Sequence, residues 1–128
     1  MSKRIFISFN YSERNYRDNL LGLFQANDGP VQATPVYVKQ DVAAQGDDAV
    51  KAEIRRCMDG CRGLLVVVGD VAHNSPWIDH ELGKANELKI PKAAVLHPDA
   101  SGGLPTNHKG MAVAPWNRDA IAKLVEGW

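Results

Sequence analysis

The stretch Gly63–Gly69, GLLVVVG, decides the fold class of this chain. Apolar and polar residues do not alternate in it, so the strand that it predicts must be covered on both faces. Strands covered on both faces are typical of the centre of a parallel sheet with helices packed on either side. The rest of the chain can be arranged outward from this strand.

Other short β-branched and apolar runs predict further strands around the central one. A short MAVA run in the long Gly- and Pro-rich segment after His97 is either part of a loop or one more strand. The remaining predicted strands are RIFISF (Arg4–Phe9), TPVYVK (Thr34–Lys39) and KAAVLH (Lys92–His97).

Helices are predicted between these strands, because apolar residues recur there at helical spacing. The third helix follows a capping side chain at Asn74 or Ser75 and extends to about Lys89. The four predicted helices begin near Ser12, which can act as a cap, and near Asp47, Pro76 and Asn117.

This alternation of strands and helices predicts an α/β fold. At 128 residues, with no internal linker or repeat, the chain is expected to form a single domain over residues 1–128. Parallel strands need crossover connections, and right-handed ones dominate. We therefore predict a three-layer, flavodoxin-like fold whose parallel sheet has four to five strands, in the order 2-1-3-4 with or without a fifth, flanked by helices.

Charge and composition exclude several classes of partner. Fifteen basic and fifteen acidic residues cancel, so no net field attracts nucleic acid or an anionic membrane surface. The apolar run near the N-terminus is too short for a signal peptide, and no stretch approaches the roughly 20 apolar residues of a membrane span. We expect a cytoplasmic protein that binds neither nucleic acid nor membrane.

A metal site is not expected. The two cysteines, Cys57 and Cys61, lie four residues apart on a predicted helix, which suits neither a disulfide nor a complete zinc site. The four histidines lack metal-binding spacing. We interpret both cysteines as small buried apolar residues.

A ligand is expected beyond the carboxyl ends of strands one and three, where the strand order reverses. The loops at that point are FNYSER (Phe9–Arg14) and GDVAHNSPW (Gly69–Trp77). They lack the acidic pair of a receiver domain, the Ser- and Thr-rich phosphate loop of a flavodoxin and the glycine fingerprint of a dinucleotide fold. The crevice is therefore expected to hold some other chemistry.

The third predicted helix carries Glu81 at the border between core and crevice. Trp77, Glu81 and Lys84 share one face by helical spacing, whereas Asp79 and His80 point more toward solvent. Burial would raise the pKa of Glu81 and Lys84 would lower it, so the sequence leaves its charge open. Periodicity alone also fits an ordinary surface glutamate, and Trp77 as a core anchor.

These same segments resemble a known family, the TIR (Toll/interleukin receptor) superfamily. The likeness covers roughly residues 3–98, through RIFISFNYSERNYRDNL, GLLVVVG and NSPWIDHELGKANELKIPKAAVLHP. Its most specific part is an S-x-W-x-x-x-E-L pattern, matched by Ser75, Trp77, Glu81 and Leu82. The likeness is to the bacterial TIR-like branch that includes the TIR subunit of the Thoeris antiphage defence system.

The resemblance implies a catalytic role for Glu81, since the glutamate of this pattern cleaves the nicotinamide glycosidic bond of NAD in enzymatic TIR domains. NAD would be the substrate and no cofactor is implied. Thoeris-type members convert NAD into a cyclic or modified ADP-ribose signal that switches on a partner effector. Residues expected to line the substrate pocket are Phe9, Asn10 and Trp77, followed by Ser8 and Asn74.

The resemblance also allows a role without catalysis. Many relatives carry an acidic residue in the loop after strand one, where this chain has Asn10 and then Glu13. The segment QDVAAQGDD (Gln40–Asp48) stands where TIR domains have the BB loop that mediates assembly. Self-association or binding to other TIR-like chains would then make the protein a non-catalytic interaction or scaffold module. A different nucleoside- or nucleotide-processing enzyme that uses the same crevice is a third alternative.

Overall fold

One parallel sheet organises the computed structural model, which describes residues 3–24, 33–37, 47–70, 76–99, 103–104 and 110–128. Its strands among these residues are β1 (Lys3–Ser8), β2 (Ala33–Val36), β3 (Gly63–Val68), β4 (Lys92–Leu96) and β5 (Ala112–Ala114). Their order is β2-β1-β3-β4-β5. The predicted fold class and order are confirmed, and the MAVA segment supplies the fifth strand.

The central strand is β3, as its lack of alternation predicts. Every residue of Gly63–Val68 is buried. On one side β3 pairs with β1 in a register that places Leu64 opposite Phe6, and on the other it pairs with β4, with Val66 opposite Ala94. The sheet order reverses between β1 and β3, so the carboxyl ends of these two strands flank the expected ligand crevice.

Helices cover both faces of the sheet and create two apolar cores. The helices among the described residues are α1 (Arg14–Phe24), α2 (Asp47–Met58), α3 (Pro76–Glu87) and α4 (Arg118–Glu126). Because successive strand residues point to opposite faces, Phe6 lies in the core under α2 and α3, and Ile5 and Ile7 lie in the core under α1 and α4.

The helix starts differ in part from expectation. A 3-10 turn at Tyr11–Glu13 precedes α1. The side chain of Asn10 caps this turn, because its Oδ1 accepts from the backbone N–H of Ser12 at 3.0 Å. Ser12 was the expected cap, but its hydroxyl instead donates to Asn10 Oδ1 at 2.6 Å. The last helix begins where it was predicted, and Asn117 caps it, since its Oδ1 accepts from Ala120 N at 2.7 Å.

The third helix ends slightly earlier than the sequence pattern indicates. Its last residue is Glu87, and Lys89 adopts a φ of 58°, which lies in the left-handed region and ends the helical path. The predicted second strand is also shorter: β2 ends at Val36, and residues 38–46 lie outside the described part of the chain.

The start of β3 is packed against the aromatic ring of Trp128. A Cβ on Gly63 would overlap this ring, so the indole lies directly on the glycine. Trp128 belongs to the core under α1 and α4, as do the buried α4 residues Ile121 and Val125. The predicted last helix is therefore confirmed, and its apolar face packs on the sheet.

Within the described residues, no helix has both the length and the apolar character needed to cross a membrane.

Candidate active site

Ser8 and Glu81 meet where the order of the sheet reverses. Ser8 is the last residue of β1, and its Oγ donates a hydrogen bond of 2.8 Å to Oε1 of Glu81 in α3. The two residues are 73 positions apart in the sequence. The structure thus brings two of the predicted site residues together at the carboxyl ends of the strands, where the ligand is expected.

Local sequence explains why these two side chains face each other. Ser8 lies two residues beyond Phe6, so it points to the same face of the sheet, toward α2 and α3. On α3, the fully buried Ile78 and Leu82 fix the face that packs on the sheet, and Glu81 lies on that face between them. The Ser8–Glu81 pair therefore lies beside this apolar core, at the carboxyl end of β1.

Burial controls the charge of Glu81. The residue is only 6 % exposed and Ser8 is 0 % exposed. Burial raises the pKa of Glu81 to about 8, although the hydrogen bond from Ser8 opposes this rise. Lys84 was the neighbour expected to lower this pKa, but it forms an ion pair with Glu87 at 2.6 Å instead. The carboxyl group of Glu81 is consequently mostly protonated at neutral pH.

Trp77 lies one helical turn before Glu81 and is partly buried. It packs against the core under α2 and α3, and its ring meets the edge of His80 with centroids 5.9 Å apart. His80 was expected on the solvent side, but it is half-buried. Its pKa is lowered mainly by this burial and further by the positive charges of Lys51 and Lys84. Trp77 thus has the contacts of a core anchor while keeping part of its surface open.

Phe9 lies on the opposite face of the sheet from Glu81. It packs against the core under α1 and α4 and contacts the edge of Tyr37, with ring centroids 6.0 Å apart. The guanidinium of Arg17 lies 4.8 Å from the centroids of both rings. The structure therefore does not bring Phe9 into contact with Glu81, because the alternation of β1 continues into Phe9, the residue after its end, and turns that side chain to the other face.

Of the two asparagines expected beside the pocket, the described residues include only Asn10. Asn10 is half-buried at the turn after β1, with its Oδ1 bonded to Ser12. Asn74 lies outside the described residues, as does most of the QDVAAQGDD segment. Their roles toward substrate stay predictions.

Glu13 connects the two loops that flank the crevice, a role that the sequence analysis did not assign. Its Oε2 accepts a hydrogen bond of 2.6 Å from the backbone N–H of Asp70, two residues after the end of β3. The carboxylate occupies the space beside Gly69 that a Cβ would fill. An acidic residue in the first loop and a Gly-Asp pair in the second are the sequence signals for this contact.

A second buried polar group lies at the carboxyl end of β4. The ring of His97 stacks on Tyr16, with centroids 4.0 Å apart, and meets Trp116 edge-on. Its Nδ1 accepts from Asp99 N at 3.1 Å, so Nε2 carries the hydrogen that reaches Asn19 Oδ1 at 2.9 Å. His97 is thus fully bonded between β4 and α1.

The tyrosine of this cluster faces acidic groups. The pKa of Tyr16 is raised mainly by burial and further by the nearby carboxylates of Asp70, Glu13 and Asp99. Since these contacts satisfy the groups involved, we interpret the cluster as structural.

In the described part of the chain, Glu81 supplies a buried carboxyl group to the crevice. Among the described residues, no group of three or more His, Cys, Asp or Glu side chains could hold a metal ion. Burial raises the pKa of Cys61 to about 11, so this thiol is a poor nucleophile. Glu81, once ionised, could bind hydroxyl groups and stabilise positive charge in a bound molecule.

The parallel sheet in the order 2-1-3-4-5, with an acidic residue from the third helix at its reversal point, is a doubly wound α/β domain and is consistent with the TIR-like class. A family model described as Thoeris protein ThsB, TIR-like domain, matches residues 6–100, and the chain belongs to this family of TIR-like defence proteins. A comparison with individual curated proteins gives no match.

Proposed function

We propose that this protein cleaves the nicotinamide glycosidic bond of NAD and produces a cyclic or modified ADP-ribose signal in antiphage defence. Glu81 is the catalytic residue in this proposal. The observation that carries it is the buried Glu81 carboxyl, which is hydrogen-bonded to Ser8 where the sheet order reverses. Membership of the Thoeris ThsB TIR-like family supports the same role.

One carboxylate is sufficient for this reaction. Nicotinamide departs from a positively charged ring nitrogen as a neutral molecule, so no general acid is required, whereas ordinary glycosides need a pair of carboxyl groups. The ribose carbon then carries oxocarbenium-like positive charge. An ionised Glu81 would accept hydrogen bonds from the ribose hydroxyls and stabilise that charge in a site with little water.

The positive charge of NAD would also ionise the catalytic group. A buried carboxyl without a cationic partner favours its neutral form, and a cation brought within a few ångströms favours its charged form. Binding of the nicotinamide ring would therefore lower the pKa of Glu81 from its value of about 8 in the free protein. The positive charge of the bound substrate would thus balance the negative charge of ionised Glu81.

The surrounding residues have proposed roles in substrate binding. Trp77, one turn from Glu81 and partly open, can stack on a flat ring. Asn10, at the turn after β1, can bond polar substrate groups. Phe9, on the other face of the sheet, and Asn74 are proposed to contact more distant parts of NAD.

The signal would act on an effector encoded elsewhere, and self-association with other TIR-like chains would complete the site where assembly is needed. NAD is the only small-molecule partner that the proposal requires.

The test measures nicotinamide released from NAD by the purified protein, with and without lysate from phage-infected cells. Wild type should release nicotinamide, and Glu81→Gln should lower the rate at least about 100-fold, as expected for loss of the main charge-stabilising group. Glu87→Gln is the matched control on the same helix, because its side chain is 67 % exposed and bonds only to Lys84 among the ion pairs of the described residues. It should retain wild-type activity.

Absence of nicotinamide from wild type under both conditions would refute the proposal. If Glu81→Gln then also kept the ability to bind other TIR-like chains in a pull-down, the scaffold function would be supported instead.

A further inference from the structure

We propose that Ser8 is a positioning residue that fixes one oxygen of the Glu81 carboxyl and leaves the other to meet the substrate. Oε1 is the fixed oxygen, held by the Ser8 hydroxyl at 2.8 Å. The inference rests on the proposed function of Glu81 and gives Ser8 a role other than substrate contact.

Complete burial of Ser8 separates it from any bound molecule. Its exposed fraction is 0 %, whereas Glu81 keeps 6 %. A substrate that reaches this pair therefore meets the glutamate and not the serine. Among the described residues, the Ser8 hydroxyl is the single hydrogen-bond donor to the Glu81 carboxyl, so Oε2 remains free of partners there.

Both members of the pair stand on rigid parts of the fold. Ser8 pairs with Val66 of the central strand, and it follows the fully buried Ile7. The helix that carries Glu81 is held to the sheet by Ile78 and Leu82, which are both 0 % exposed. A catalytic group supported in this way keeps its orientation without substrate, which is the condition for electrostatic preorganisation.

The serine also acts on the charge of the glutamate. Among the described residues, its hydrogen bond is the one contribution that lowers the pKa of Glu81 against the effect of burial. A hydroxyl that donates to a carboxylate is worth more than one that donates to a neutral carboxyl. Ser8 thus favours the ionised form, which is the form that can stabilise positive charge on the ribose.

The first test is a carbon-13 NMR titration of the Glu81 side-chain carboxyl, which needs no enzymatic activity. Ser8→Ala should raise the Glu81 titration midpoint by about one pKa unit, as expected for the loss of one hydrogen bond to a charged group. Ser8→Cys, which preserves the shape with a weaker donor, should give a smaller rise. Ser12→Ala, whose hydroxyl donates to Asn10, should leave the midpoint unchanged.

An unchanged Glu81 midpoint in Ser8→Ala would overturn the inference. If Ser8→Ala does not fold, Ser8→Cys decides in its place, because it keeps the volume of the buried site.

The second test separates positioning from substrate contact by steady-state kinetics of nicotinamide release. A positioning role predicts that Ser8→Ala lowers kcat about 10-fold or more, leaves KM within about 2-fold of wild type and moves the acidic limb of the pH profile upward. A rise in KM with unchanged kcat would show substrate contact and overturn the inference. Failure of wild type to release nicotinamide would overturn the proposed function, and the NMR titration would still decide the role of Ser8.

Discussion

Glu81 is uncharged inside the folded protein over a pH range in which it would be charged in the unfolded chain. Its ordinary pKa of 4.5 is raised to about 8 by burial. The folded state therefore binds one more proton than the unfolded state between these two values, and this linkage makes the free energy of unfolding depend on pH.

The free energy of unfolding should consequently decrease as pH rises from about 4.5 to 8. The stabilisation from burying neutral Glu81 is complete below the lower value and is lost as pH passes the upper one. Its total is on the order of a few kcal/mol, since one pKa unit corresponds to about 1.4 kcal/mol. Urea unfolding at pH 5, 7 and 9 measures it.

Glu81→Gln is the control for this pH dependence, because the amide has nearly the same shape and no charge. The variant should lose this component of the pH dependence and should be more stable than wild type at pH 9. An equal slope in both proteins would contradict a raised pKa at Glu81.

The rate of NAD cleavage should also follow the ionisation of this residue. If ionised Glu81 is the catalyst, kcat/KM for nicotinamide release should increase with pH and level off above about 8, because this ratio reports the pKa values of the free enzyme. Initial rates at low NAD concentration between pH 6 and 9 measure the profile. A flat profile over that range would exclude ionisation of Glu81 as the controlling step.

At the scale of elements, the start of α4 is a well-defined helix cap. Asn117 has an extended backbone and accepts from Ala120 N at 2.7 Å. Asn117→Ala should lower the free energy of unfolding by about 1 kcal/mol, because one of the helix's first N–H groups loses its partner. Asn117→Asp keeps an acceptor and should lose much less. Thermal unfolding of the three proteins compares them, and equal midpoints would contradict the cap's contribution.

The elements themselves were largely predictable from local patterns. The unalternating GLLVVVG run predicted the buried β3, and apolar residues at helical spacing predicted the helices, including α4 with its buried Ile121 and Val125. Element ends were less predictable, because they depend on single hydrogen bonds. Asn10, and not Ser12, supplies the acceptor before α1, and both are good capping residues by type.

The candidate site required information that no local pattern contains. Helical spacing placed Glu81 at the edge of the core, but its near-complete burial and its bond to Ser8 depend on packing between elements 73 residues apart. The position of Phe9 could have been inferred, since a strand that points Ser8 to one face must point Phe9 to the other. Phe9 was expected in the pocket as an aromatic ring near the crevice that could stack on substrate, and that expectation took no account of the face to which it points.

At the scale of the whole molecule, Trp128 joins the end of the last helix to the first residue of the central strand. Its ring lies on Gly63, where a Cβ would overlap it. Gly63→Ala should therefore displace the indole and lower the free energy of unfolding by roughly 1–3 kcal/mol, the usual cost of overpacking a core. Chemical denaturation measures the change.

Gly22→Ala is the matched control for this prediction. Gly22 lies within α1 with nothing near the position of an added Cβ. Alanine there should raise the free energy of unfolding by about 0.5–1 kcal/mol, because it favours the helix over the unfolded chain. If Gly63→Ala were as stable as Gly22→Ala, the indole could not be packed on Gly63 as described.

The three tryptophans of the chain are divided between the two faces of the sheet. Trp77 packs on the core under α2 and α3, while Trp116 and Trp128 pack on the core under α1 and α4. Variants that keep a single indole would therefore separate the fluorescence of the two layers. Emission from Trp77 would report events beside the Glu81 helix, and emission from Trp128 would report the attachment of α4, so the two sides of one sheet could be followed independently.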